Sequence, residues 1–297
     1  MSPYWLLAAS VVLGVSKNIL SRAVGGISRP RRSRMLRVNL ETALIALLVF
    51  GAALFSHGAE KAFPADGLFY LLAACYGVLT MLSQILYIRA VRNGPVSVCA
   101  LLYACCFLLP TFFAIFVYRE PIGINRGIGI FLLCISVLVT NTADKKSADK
   151  TEKKRGTWLP FALGATAASG GVGILQKVTR TDFPTWDSDG FLFCAFAAMA
   201  VLSLAILPFC REKEKADKST VSVLFGELCL GGALVFANKL NLYLSGVLPG
   251  SIFFPVVNGG CIAFTAILSG ALFRERFSAR KCAGLVGSLA ALVLISL

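Results

Sequence analysis

The sequence predicts an all-α membrane protein: ten transmembrane helices arranged as two inverted five-helix repeats. Three observations lead there. Hydrophobic residues make up 57% of the 297-residue chain and mean hydropathy is +0.77, far outside the range of soluble globular chains. Apolar runs of about 20 residues, enough to cross a hydrocarbon core of about 30 Å, recur along the whole length. The chain also matches itself at an offset of 155 residues, where VYREPIGINRGIG (117–129) falls on LFRERFSARKCAG (272–284). Arg119 then lies on Arg274, Glu120 on Glu275 and Gly129 on Gly284.

The first span, 3–21, begins without a basic region and carries its arginines behind the apolar stretch, so it reads as a helix rather than a secretory leader. The loop that follows, SRAVGGISRPRRS, contains Gly and Pro that prevent a regular basic helix, and a second span covers 36–56. A third, 67–88, and a fourth, 95–117, are separated by the breaker NGP at 93–95. A fifth covers 122–140. The second set runs 157–176, 188–209, 221–245, 249–272 and 278–297, with the breaker PG at 249–250 standing near the place of NGP. Small residues four apart, Ser10/Gly14 and Ala165/Ser169/Gly173, suit close helix contacts in lipid.

Charge gives the orientation. Net charge is +14, and alternate loops hold 22 Lys and Arg against 5 on the other side (Lys61, Arg119, Arg126, Lys177 and Arg180). The positive-inside rule puts the richer loops in the cytoplasm and both termini outside, in a multi-pass protein of the plasma membrane. The basic excess is thus an orientation signal with a contact to anionic lipid, and nucleic-acid binding is the poorer reading. The ten cysteines lie in or at the ends of apolar runs without CxxC spacing and behave as small hydrophobes.

Five is odd, so a second copy of a five-helix unit enters from the opposite side and is inverted. Inverted repeats are a hallmark of secondary transporters, whose site lies near midplane between the repeats. The units are 1–140 and 157–297, and NTADKKSADKTEKKRG (141–156) is a charged cytoplasmic linker. With its paired Tyr118-Arg119-Glu120 and Phe273-Arg274-Glu275 steps, the chain resembles the EamA domains of the drug/metabolite transporter superfamily. The resemblance implies a transporter of small organic metabolites, many relatives being exporters, with a cavity lined by the first, third and fourth spans of each half. The Arg-Glu steps themselves read as structural, holding the turn by charge and capping.

Charges in hydrocarbon are costly and so are functional candidates. Glu227 and Lys239 stand twelve residues apart, about 18 Å of helix, so both cannot reach an interface. Lys239 is the favoured buried one, with Asn238 beside it; a snorkelling lysine is the alternative. Its mate at the 155 offset is Gln84. Lys17 is a further candidate, although Arg22 is near enough for snorkelling to explain it too. Glu227 is either a coupling carboxylate or a residue of the inner surface, and a proton or counter-substrate fits the coupling role. In the ninth span, Pro255 followed by Asn258-Gly259-Gly260 predicts a broken helix lining a cavity. Asn258 falls on Tyr103, and both are candidates for the site; Tyr76, Tyr87 and Tyr243 are weaker ones. A buried ammonium favours an amino acid or another small polar or acidic metabolite.

The rival classes are an intramembrane enzyme and a non-transporting receptor or scaffold. The single histidine, His57, falls in an outer loop, and the sequence has no metal-ligand cluster, P-loop or Ser-His-Asp set. No catalytic residue, metal or cofactor is therefore expected, and the expected partners are a small-molecule substrate and lipid.

Overall fold

The computed structural model describes residues 3–25, 32–57, 62–94, 96–142, 158–210, 221–273 and 278–296, and those residues contain helices and no strand. That is what hydrocarbon demands, because a helix satisfies its own backbone polar groups. The helices are α1 (Pro3–Gly25), α2 (Arg32–His57), α3 (Gly67–Asn93), α4 (Val96–Ala104), α5 (Leu108–Val117), α6 (Ile124–Thr142), α7 (Leu159–Asp182), α8 (Ser188–Ile206), α9 (Val221–Val247), α10 (Gly250–Phe273) and α11 (Ala279–Ser296). Counting α4 and α5 as one span, eight are long and apolar enough to cross a membrane, and α6 and α11 are shorter apolar helices. Asp66 caps α3 by accepting from Leu68 N–H, and Asp187 caps α8 by accepting from Gly190 N–H.

The predicted break falls in a different helix. α10 is continuous through Pro255, its sixth residue, which leaves one backbone bond unmade near the helix start. Asn258 stays helical, and its amide donates to the Phe254 carbonyl at 2.9 Å. The interruption is instead a 3-10 turn, Cys105–Phe107, between α4 and α5. Pro110 explains it: mid-span, the proline offers no donor to Cys106 four residues back, and the preceding turn tightens. Leu108 N–H bonds to the Cys105 and Cys106 carbonyls, and Thr111 Oγ donates to the Phe107 carbonyl at 2.7 Å. Glycines on α7 accommodate the irregular segment. A Cβ added at Gly170 would sit 3.0 Å from the Cys106 carbonyl oxygen, and one at Gly173 would sit 2.8 Å from Pro110.

Packing runs mostly between the two sets of five rather than within them. α3 packs on α7 and α8, while α1 and α2 pack on α9; α1 also meets α10, and α5 meets α7. Exchanging helices at the 155 offset turns each of these contacts into another of them, whereas α2–α8 and α6–α11 exchange onto themselves. The α6–α11 seam is built on the matched glycines. A Cβ at Gly129 would meet Ile295 at 2.7 Å, and one at Gly284 would meet Thr140 Oγ at 2.2 Å and Thr140 N at 2.8 Å.

Two large apolar clusters result, beside a small one around Ala90, Cys99 and Ala162. One joins Phe50 and Phe69 to Phe191, Phe196 and Val235; the other joins Leu7 and Leu133 to Phe253, Ile252 and Ile295. The 141–156 linker beyond its first two residues and the Arg274-Glu275 step lie outside the described residues, as does the Glu227 side chain.

Candidate functional site

At Tyr76, a member of the first cluster, side chains from three helices meet in one hydrogen-bonded node. The Tyr76 hydroxyl of α3 donates to Asn238 Oδ1 of α9 at 2.7 Å and accepts from Gln176 Nε2 of α7 at 2.9 Å. Tyr76 and Gln176 are buried. The node is fixed from both ends: Asn238 Nδ2 donates to the Leu234 carbonyl, and Ser245 Oγ lies within hydrogen-bond distance of the Gln176 and Leu242 carbonyls. Tyr76 also sets its ring edge-on to Phe191, with centroids 5.8 Å apart.

A second polar group surrounds the interrupted fourth span. Tyr103 of α4 stands near Ser169 of α7 and Ser83 of α3, and Ser169 is also near the Cys106 thiol. Lys17 of α1 stands within electrostatic reach of Cys106 and Cys261, two thiols that exchange at the 155 offset. Lys17 shares the region of these two thiols, Cys106 in the 3-10 turn and Cys261 in α10. Among the described residues no ion pair is formed by Lys17. α1 is held by further cross-half bonds, Ser10 Oγ to Asn241 Oδ1 and Asn18 Nδ2 to Thr265 Oγ at 3.1 Å.

Lys239 departs from its expected setting. It is not deeply buried: its side chain is 45% exposed and its ammonium pairs with Asp189, in the first turn of α8, at 2.8 Å. The carboxylate already offsets the charge that a substrate anion was expected to neutralise. Of the other candidates, Asn238 belongs to the node and Tyr103 to the second group. Gln84 is half-buried on α3, and Asn258 bonds to its own helix.

Two features escaped the sequence reading. Gln176 and Lys177 look like the end of a span, yet α7 runs on to Asp182 and buries both. Lys177 Nζ pairs with Glu120 Oε1 at 2.8 Å, with side-chain exposures of only 6% and 14%. Glu120 Oε2 accepts from Ser251 N–H, at the start of α10, at 3.2 Å, and Lys177 donates to the Leu248 carbonyl at 3.3 Å. The Arg-Glu step of the first half does hold its turn by charge and capping. Arg119 adopts a left-handed conformation, φ 50°, and Glu120 N–H reaches back to the Ala114 carbonyl at 3.4 Å. Beside it, the Tyr118 hydroxyl donates to Asp182 Oδ2 at 2.8 Å; burial, then the Asp182 carboxylate, push that phenol above the usual tyrosine range.

The described residues contain no cluster of three or more metal-binding side chains. The arrangement is a set of neutral donors and acceptors with a lysine among them, suited to binding a polar molecule between helices of both halves. No curated protein matches the sequence. A solved crystal structure matches in fold, covering 99% of this chain and 98% of its own length with a TM-score of 0.72 at 16% identity. The model of the EamA-like transporter family matches residues 2–142, the whole of α1 to α6. Over those residues the chain is similar to the EamA-like transporter family, and its eight long apolar helices make it a multi-pass integral membrane protein.

Proposed function

We propose that this protein is a secondary transporter that carries a small polar or acidic organic metabolite, such as an amino acid, across the plasma membrane by alternating access. The observation that carries this reading is the Tyr76–Gln176–Asn238 node, where one hydroxyl and two amides from both halves converge away from lipid. Lys17 supplies the cation for an acidic end, with Tyr103, Ser83 and Ser169 as neutral partners. The halves are inverted repeats that rock about the site, a reading supported by the odd helix count and by helix contacts that survive exchange of the halves. Both termini lie outside and the linker inside, with Glu227 as the candidate coupling carboxylate.

Counterflow in proteoliposomes tests the reading. Vesicles preloaded with a pool of amino and organic acids should accumulate a labelled member of that pool, and Lys17→Met should reduce uptake of acidic members more than of neutral ones. Absence of counterflow for every member, with monodisperse protein of either orientation, would remove the transport reading.

A further inference from the structure

The Glu120–Lys177 pair sits immediately above the polar node. Lys177 follows Gln176 on α7, and its second acceptor, Leu248, lies three residues beyond Ser245, which bonds to the Gln176 carbonyl. The two sites therefore share the same turns of α7 and α9. The pair also joins the halves: Glu120 belongs to the turn after α5, while Lys177, Leu248 and Ser251 all belong to the other half. Tyr118–Asp182 ties the same turn to the end of α7.

A buried ion pair is a poor way to gain stability, because an apolar pair of similar size does as well. Its physical distinction is that it is all-or-none, since losing one partner leaves the other charge stranded. A contact of that kind suits a joint that must be either shut or open.

Resting on the transport reading above, we propose that Glu120 and Lys177, with the α10 N-terminus, form the closed gate at the end of the pathway opposite the linker. With the pair formed, the turn 118–120 is latched over α7 and α10, and Ser245 beneath it is inaccessible. Parting of the pair frees the α10 N-terminus from Glu120 and α7 from the turn, and opens the node to that side. Arg119 is exposed and takes no part in the latch.

The test needs no substrate. Ser245→Cys is placed in the full chain in nanodiscs, and its alkylation by a membrane-impermeant maleimide is followed at that residue by peptide mass spectrometry, so the native cysteines can remain. With the latch intact, labelling should be slow. Glu120→Gln and Lys177→Met should each raise the rate at least roughly tenfold, the order expected when a contact worth one decade in population is lost. Lys177→Arg, which keeps the charge, should stay within about twofold of the parent. Only monodisperse protein is compared, and Glu120→Gln/Lys177→Met, which strands no charge, carries the test if a single variant does not fold. Labelling that stays at the parent rate in the charge-removing variants overturns the gate. Because the readout is accessibility, a failed gate leaves counterflow to be judged separately, and failed counterflow leaves the gate standing as a conformational joint.

Discussion

Tyr76→Phe removes a single oxygen and with it two interhelical hydrogen bonds, of 2.7 and 2.9 Å, while keeping the ring against Phe191. Such bonds in membrane proteins average about 0.6 kcal/mol and reach about 1.7 kcal/mol, so two of them bound the loss at about 1–3 kcal/mol. Burial favours the upper part of that range, because the buried Gln176 amide loses its hydroxyl acceptor. Asn238 is less affected, since its amide keeps the Leu234 carbonyl. We expect a loss of about 2 kcal/mol in reversible unfolding from mixed micelles. The Tyr76→Phe/Asn238→Ala cycle should show a coupling of about 0.6–1.7 kcal/mol. Counterflow should fall in parallel. If Tyr76→Phe unfolds within about 0.3 kcal/mol of the parent, the scatter of non-interacting sites, and transports normally, the node is neither a brace nor a binding site.

Other outcomes are equally open to measurement. Gly284→Ala should lower stability by about 1–3 kcal/mol, because its methyl would press on the Thr140 backbone, whereas Gly232→Ala, which meets nothing within 4 Å, should be neutral or slightly stabilising by thermal unfolding. Lys239→Met should destabilise by stranding Asp189, and Asp189→Asn in the same chain should recover most of the loss; a double variant as unstable as the single would show that the pair does not hold α8 to α9. Tyr118 should stay protonated above the ordinary tyrosine value near 10, since its folded pKa is raised. Its stabilising contribution is therefore present below about pH 10 and lost as pH rises through the raised value. The difference in tyrosinate absorbance between parent and Tyr118→Phe measures this, and a step at the ordinary value would remove the Asp182 contact.

The spans were legible because hydrocarbon imposes a composition that no local detail can mask, and the helix limits agree with the apolar runs to within a few residues at most ends. The helix break was not legible, because both candidate spans contain a proline and what matters is its depth: Pro110 interrupts bonds mid-span, and Pro255 falls near a helix start. Loop charge carries no information on burial. Lys177 is one of the five basic residues assigned to the poorer side, yet its partner is 57 residues away in sequence, and nothing local distinguishes it from a loop lysine. Lys239 misled for the opposite reason, since the Asp189 that neutralises it lies 50 residues upstream, at the start of the span 188–209. Asn238 and Tyr103 could be found because polar side chains inside apolar runs are conspicuous, but which of them touch is a property of packing alone.

The two large apolar clusters each draw walls from both sets of helices, so neither set owns a core. During synthesis, when residue 142 has emerged, Phe50 and Phe69 have no Phe191 to meet and Leu133 has no Ile295. At about 5–20 residues per second the remainder takes roughly ten to thirty seconds to follow. For that interval the nascent helices stand in lipid with unfilled grooves at Gly77 and Gly129, whose eventual neighbours are Ala195 and Ile295. Residues 2–142, the extent of the family match, therefore lack the partners that complete both clusters. Expressed alone they should be degraded, and expressed with 158–297 as a separate polypeptide they should be rescued.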